Sequence, residues 1–175
     1  MIGHARIHLR PTLIDDLEFV ISVENDPQNR SSITPWERTQ HEAAVRFPDF
    51  RHFIVEAGDV HDPVGFVILV GCRNRNLSIE LKRMVIQPKG RGLGRACLRV
   101  IKKVAFNGLG AHRFWLDVRQ SNVRAKALYD SEGFVEDGRM RDSLKTDEGY
   151  ESMVVMSMLE AEYRAREQAG FEADQ

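Results

Sequence analysis

The sequence predicts one α/β domain built on a mixed sheet, and three observations lead to it. Three β-rich runs in the first half are separated only by short turn signals, the mark of antiparallel neighbours. A strand-like run over residues 77–86 is followed by a glycine loop, a helix-periodic stretch and another strand over 113–118, an order that implies a right-handed parallel crossover. With 175 residues, 42% hydrophobic and 29% charged, the chain is one ordinary domain able to bury roughly two-thirds of its unfolded surface.

Each element has its own local reason. Ile7 and Leu9 alternate with His8 and Arg10 as a strand, Pro11 and Thr12 break it, and Leu13, Leu17, Val20 and Ile21 then take helical spacing. Residues 25–36 are polar, contain two prolines and read as a loop with room for a short helical turn. Thr39 and Glu42 stand at capping-box spacing and open a second helix to about Phe47. Residues 53–57 and 64–70 are strands joined by a hairpin signal over 58–63, and a turn over 73–76 leads into the next strand. Leu93, Cys97, Val100, Ile101 and Val104 recur on one helical face until residues 107–110 end the run. Phe114, Leu116 and Val118 alternate with Arg113, Trp115 and Asp117 in a strand. Ser121 or Asn122 caps a helix that stops at Gly133, a strand starts at Phe134, and a last strand covers residues 150–158. Nothing divides residues 1–159, read as a single domain, while residues 160–175 read as a polar C-terminal tail, helical or frayed.

Composition excludes several classes. Lys plus Arg total 25 against 26 acids, so the chain lacks the basic field that drives nucleic-acid binding, and no nucleic-acid partner is expected. Cys72 and Cys97 have neither metal-ligand spacing nor a disulfide framework, which fits a reduced, cytoplasmic setting. His4 and His8 would lie roughly 13 Å apart on a strand, too far to share an ion, so no metal is expected. No run approaches the roughly 20 apolar residues of a membrane span, and the N-terminus does not read as a signal peptide. A soluble protein with no membrane partner is the expectation.

Residues 86–96 carry the first chemical signal. Glycines let a backbone turn its N–H groups toward a ligand, and a helix start adds unpaired donors and a positive dipole end, so strand, glycine loop and helix make an anion site. Arg91 and Arg95 add positive charge. A dinucleotide fingerprint starting at Gly90 would need glycine where Arg95 stands, and a nucleotide-triphosphate loop would need Gly-Lys-Ser/Thr at the helix start, which is missing. The second signal is the helix after Asn122. Asn122 and Tyr129 are two turns apart, about 10 Å along one face, with small Ala125 between them. That face can pass a slender ligand between two polar groups; equally, Asn122 can be an N-cap and Tyr129 a packed aromatic.

Together these stretches resemble the GNAT N-acetyltransferases. In the run Arg91 to Ala96, Arg91, Gly94 and Ala96 match the Gln/Arg-x-x-Gly-x-Gly/Ala signature, and Asn122, Ala125, Leu128, Tyr129, Gly133 and Phe134 match a second signature at every position. The resemblance extends over residues 5–159 and implies a three-layer α/β fold. Its mixed sheet has about seven strands, with helices on both faces and a splay between the fourth and fifth strands that admits the pantetheine arm of acetyl-CoA. It implies that Arg91, Gly92, Leu93, Gly94, Arg95 and Ala96 hold the pyrophosphate, and that backbone groups of Met84, Val85 and Ile86 serve the pantetheine and the thioester carbonyl. Asn122, Ala125 and Tyr129 complete the cofactor wall. Acetyl transfer needs a neutral amine, a polarised carbonyl and a protonated leaving thiolate. The resemblance assigns the acid to Tyr129 and the base to Glu80, directly or through water; Glu80 reads equally as a solvated strand carboxylate beside Lys82 and Arg83, and His41 reads as a surface histidine.

The same resemblance places the amine acceptor among the loop after the first helix, the second helix and the final hairpin. Those carry Glu24, Asp26, Trp36, Glu37, Asp142, Asp147, Glu148 and Tyr150, carboxylates near aromatics that suit a cationic amine. The stretch at Gly138 to Arg141, then Gly149, Tyr150, Met156 and Met158, is similar to the branch with ribosomal-protein N-terminal acetylases and spermidine acetylases. A polyamine, amino acid, antibiotic or protein N-terminus are all open acceptors, and a homodimer is common in similar proteins. The alternative function is a non-catalytic acyl-CoA sensor or interaction module on the same fold.

Overall fold

The computed structural model describes residues 6–170; His4 therefore lies outside the described residues. Seven strands, β1 (Ile7–Pro11), β2 (Phe50–Ala57), β3 (Asp62–Val70), β4 (Ser78–Ile86), β5 (Arg113–Arg119), β6 (Val135–Thr146) and β7 (Gly149–Leu159), form one sheet of order β1-β2-β3-β4-β5-β7-β6. Every neighbouring pair is antiparallel except β4 and β5, which are parallel as the crossover requires.

The helices are α1 (Leu17–Asn25), α2 (Pro27–Arg30), α3 (Arg38–Arg46), α4 (Leu93–Lys103), α5 (Val123–Ser131) and α6 (Glu160–Gln168). They make two cores. Leu17, Val20 and Val23 of α1 and Ala44 of α3 pack on Ile54, Phe66, Ile68 and Val85 on one face. Leu93, Cys97, Leu98 and Ile101 of α4 pack on Val67, Leu69, Ile79, Phe114 and Leu116 on the other. The expected three-layer α/β sandwich with about seven strands is what the chain forms. β3 is buried from Val64 to Leu69 because both faces are covered, so its sequence is a continuous apolar run, whereas β5 alternates.

Two local details differ from the sequence reading. The second long helix starts before Thr39: Gln40 reaches back to accept the Glu37 N–H at 2.8 Å, and Glu42 is spent on Arg38 Nε at 3.0 Å. In β4, Lys82 is an extra residue, since Ile68 faces Arg83 while Leu69 faces Leu81. This bulge re-aims the strand. Leu81 lies in the α4 core, but past Lys82 it is Val85 that enters the α1–α3 core while Met84 and Ile86 pack toward α4. Gly65 is obligatory opposite, because a Cβ there would sit 2.0 Å from Val85 O.

The stretch from Glu160 is helical, and it is tied down. Tyr163 is fully buried and stacks on Phe106 with ring centroids 4.6 Å apart. Truncating it opens a cavity under the sheet. Tyr163→Ala is expected to lower unfolding free energy by about 3–5 kcal/mol, the range for large core aromatics, as read by urea denaturation; a loss no larger than that of an exposed surface residue would show that α6 is dispensable.

Candidate active site

The site begins where sheet pairing stops. β4 and β5 are paired only at Ser78, Ile79 and Glu80 against Arg113, Phe114 and Trp115. Beyond them the strands part, and a cleft of about 980 Å³ opens, walled by Leu81 to Met84 on one side and Leu116 to Arg119 on the other. This is the expected splay. A strand presents successive N–H groups to alternate edges. Gln87 gives its N–H to Val64 O on β3 at 2.8 Å, so Ile86 and Met84 direct theirs into the gap. Val85 is turned the other way: its carbonyl abuts Gly65 of β3 and its side chain is buried in the α1–α3 core.

The glycine loop forms one end of the cleft. Gly92 precedes α4 with φ of 74°, a left-handed conformation that favours glycine. The N–H groups of Gly92, Leu93, Gly94 and Arg95 find no acceptor among the described residues, and the first amide paired back into the turn is Ala96, to Gly92 O at 3.1 Å. Such a row of free donors at a helix start fits a phosphate. Leu93 anchors the turn by burial. Arg91 stands exposed outside the cleft wall. The Arg95 guanidinium is not a free cation: it reaches Glu132 Oε1 at 2.5 Å and Ser131 Oγ at 3.0 Å, leaving its backbone N–H as its contribution to the anion site. The cations that line this end are instead Lys89 and Arg124; burial and the neighbouring Arg124 lower the Lys89 pKa. Neither was singled out from the sequence, because neither belongs to a glycine signature.

Asn122, Ala125 and Tyr129 line the opposite wall. Asn122 caps α5, its side chain accepting the Ala125 N–H at 3.2 Å, so the N-cap reading and the cleft position hold at once. Tyr129 packs its ring edge-on to Phe134 at 5.8 Å. Its hydroxyl makes no hydrogen bond among the described residues, and burial, then Cys97 and Asp117, push its pKa up to about 12; the phenol holds its proton. Glu80 is half-buried, donated to by Lys82 Nζ at 3.2 Å, and stands outside the cleft wall. Burial raises its pKa, opposed by Lys82 and aided by Asp117.

The carboxylate that does line the cleft is Asp117. It has no hydrogen bond or ion pair among the described residues. The sequence signal for it is the alternation of β5, in which Arg113, Trp115, Asp117 and Arg119 form the face opposite the apolar Phe114, Leu116 and Val118.

His41 is not a surface residue. It is fully buried, with Nε2 at 2.9 Å from Glu24 Oε2 and Nδ1 at 3.2 Å from His52 Nε2, while His52 Nδ1 meets Thr12 Oγ1 at 2.8 Å. Glu24 is fully buried too; its Oε1 forms an ion pair with Arg83 Nη1 at 2.9 Å and its Oε2 accepts the Trp36 N–H at 3.0 Å. Arg83 lies 4.6 Å over the Trp36 ring and donates to Thr34 O at 2.7 Å. Glu24 and Trp36 therefore brace the loop at 32–34 that lines the cleft rather than facing an acceptor. Asp26 caps α2 through the Gln28 N–H at 2.9 Å. Glu37, Asp142, Asp147, Glu148 and Tyr150 are exposed and, among the described residues, do not line the cleft.

A splayed parallel pair, a glycine loop of free donors and a tyrosine on the facing helix define an acyl-coenzyme A transferase site. Residues 17–134 match the model of the Acetyltransferase (GNAT) family, and the chain belongs to that family. It is 25% identical to spermidine N(1)-acetyltransferase of Vibrio cholerae over 93% of this chain and 98% of that protein. It is 40% identical to the ribosomal protein bS18 alanine N-acetyltransferase of Escherichia coli, over 38% of this chain and 45% of that one. A structure of the Vibrio cholerae spermidine N-acetyltransferase in complex with CoA and spermine superposes with a TM-score of 0.81 at 24% identity, covering 90% of this chain and 98% of the other. The chain is thus an N-acetyltransferase, with acetyl-CoA as the family's co-substrate. Among the described residues no helix is long and apolar enough to cross a membrane.

The histidine network makes stability depend on pH. Burial, then His41, lowers the His52 pKa from 6.5 to about 3, so between those values the unfolded chain binds a proton that the folded one refuses. The contribution is complete above 6.5 and is lost as pH falls toward about 3. Urea midpoints across that window should decline, and His52→Gln should flatten the decline; a slope unchanged by the substitution would remove His52 as its source.

Proposed function

We propose that the chain transfers an acetyl group from acetyl-CoA to a primary amine by direct attack in a ternary complex. One observation carries the reading: pairing of β4 with β5 ends at Glu80 and Trp115, and the space beyond is walled by unpaired Asp117, by Tyr129 and by the donor-rich turn at Gly92. The amine-acetylating relatives support the class of acceptor. Acetyl-CoA supplies the activated acyl group.

The residues then have separable tasks. N–H groups of Gly92, Leu93, Gly94 and Arg95 hold the pyrophosphate, with Lys89 and Arg124 adding charge. Met84 and Ile86 offer the pantetheine the backbone edge that β5 has vacated, and Asn122 and Ala125 shape the facing wall. Asp117 accepts the proton the amine must shed, with Glu80, close enough to feel its charge, able to act through water. Tyr129 donates its proton to the departing sulfur. Across the reaction the N–C bond forms and the C–S bond breaks, with one proton moving from amine to carboxylate and one from phenol to thiolate.

We also propose self-association. Val135, Met140 and Tyr150 leave large apolar side chains exposed on the β6–β7 hairpin, and the Vibrio cholerae relative has a dodecameric structure. A homodimer is the smallest assembly that covers this surface.

Tyr129→Phe is expected to lower kcat by about 10²-fold or more in a thiol-release assay, with acetyl-CoA Kd by calorimetry near its starting value. An unchanged kcat across the acceptor panel would remove the acid role. Asp117→Asn should abolish the acidic limb of the pH–kcat/KM profile; its survival there and loss in Glu80→Gln would move the base to Glu80.

A further inference from the structure

Asp117 and Arg119 lie on the same face of β5, two residues and about 7 Å apart, and both line the cleft. Arg119 donates to Ser31 O at 3.1 Å and to Thr34 Oγ1 at 3.4 Å, neither of them a carboxylate, and it forms no ion pair among the described residues. Glu151 feels its charge through space, but that carboxylate accepts the Ser121 N–H at 2.9 Å and is outside the cleft wall. The remaining cations at this end are compensated: Lys82 by Glu80 at 3.2 Å, and Arg83 by Glu24 at 2.9 Å. Among the described residues the acceptor side therefore presents one carboxylate without a partner beside one guanidinium whose partners are neutral oxygens.

That pairing is wrong for a polycation. A polyamine would find a single carboxylate and would have to place its remaining charge beside Arg119, an arrangement that costs rather than gains. It is right for a molecule that carries both signs. We propose that the acceptor is a small zwitterionic amine, its amino group set against Asp117 and its carboxylate bound by Arg119 through the planar guanidinium fork. The inference rests on the acetyl-transfer reading above and adds to it the chemistry that selects the acceptor. The loop is arranged for such an exchange. Thr34 O is held by Arg83 at 2.7 Å, so a carboxylate can replace the long Thr34 Oγ1 contact to Arg119 while Arg83 keeps the loop in place.

The test compares amino acids with their carboxamides and with spermidine in a thiol-release assay, alongside calorimetric binding of acetyl-CoA. At least one amino acid should exceed its own carboxamide, and spermidine, in kcat/KM by roughly 10-fold or more, the factor a hydrogen bond to a charged group supplies. Arg119→Gln should erase that preference, Arg119→Lys should restore part of it, and Thr34→Val, which removes only the competing hydroxyl, should retain it. Acetyl-CoA affinity should be the same in all three. Spermidine or the carboxamides as the better acceptors, an equal loss for both partners of a pair in Arg119→Gln, or acetyl-CoA binding without turnover of any amino acid would overturn the acceptor assignment alone. Failure to bind acetyl-CoA would instead overturn the transferase reading beneath it.

Discussion

The parting of β4 from β5 is the constraint on which the rest of the molecule depends. Each backbone donor or acceptor left unmade in a buried setting costs about 1–3 kcal/mol, so two adjacent strands do not separate without a cause and a use. The cause is visible in the chain. Lys82 is inserted as a bulge two residues past Glu80, the last residue of β4 paired with β5, and it turns β4 so that Arg83 points to the α1–α3 side. Arg83 and Arg119, one from each parted strand, both reach Thr34 on the loop after α2. The gap is thus spanned by a loop that neither strand contains, and the strands cannot close on each other without displacing it.

Two buried carboxylates hold the two ends of this gap in place. Glu132 is nearly inaccessible and receives Arg95, Arg99 and Lys102, all from α4. Burial would raise its pKa, but the surrounding cations outweigh that and keep it ionised. The cluster ties the first turn of α4, where the free N–H groups lie, to the end of α5, where Tyr129 lies. Glu24 plays the corresponding part at the acceptor end through Arg83, His41 and the Trp36 amide. Burying ions is costly, and breaking such a pair leaves a charge without compensation. Both ends of the cleft are consequently held by buried ion pairs, while among the described residues Asp117 has no partner and Arg119 is held only by neutral oxygens.

How much of this was legible in the sequence follows from the range of each interaction. The glycine turn, the Asn122 cap and the Tyr129 face are local patterns, set within one loop and two helical turns, and they were readable without the fold. The alternation in β5 was readable as well, yet it directs attention to the buried Phe114, Leu116 and Val118 and away from Asp117, whose meaning depends on the strand being half unpaired. The Arg95–Glu132 contact spans 37 residues, His41–Glu24 spans 17 and His52–Thr12 spans 40. No periodicity reports such pairs. For the same reason His41 looked like a surface histidine: its helix is short and mostly polar, and only the sheet beneath it makes the position interior.

The division between local and long-range determinants also separates the two halves of the chemistry. In the proposed reading, cofactor binding relies on main-chain groups: amides at a helix start and an unpaired strand edge. Almost any side chain is compatible with those, provided that glycine stands where φ is positive, so the architecture can persist while most of the sequence changes. In the proposed reading, acceptor choice relies on side-chain charges at a few strand positions, and a single charge-reversing substitution at 117 or 119 would change the sign presented to the amine. A shared backbone can therefore carry the acetyl-transfer step from one member of the fold to another without carrying the acceptor. On the acceptor part of the cleft wall, Asp117 and Arg119 are the charged groups without an ion-pair partner among the described residues, and they stand side by side on β5.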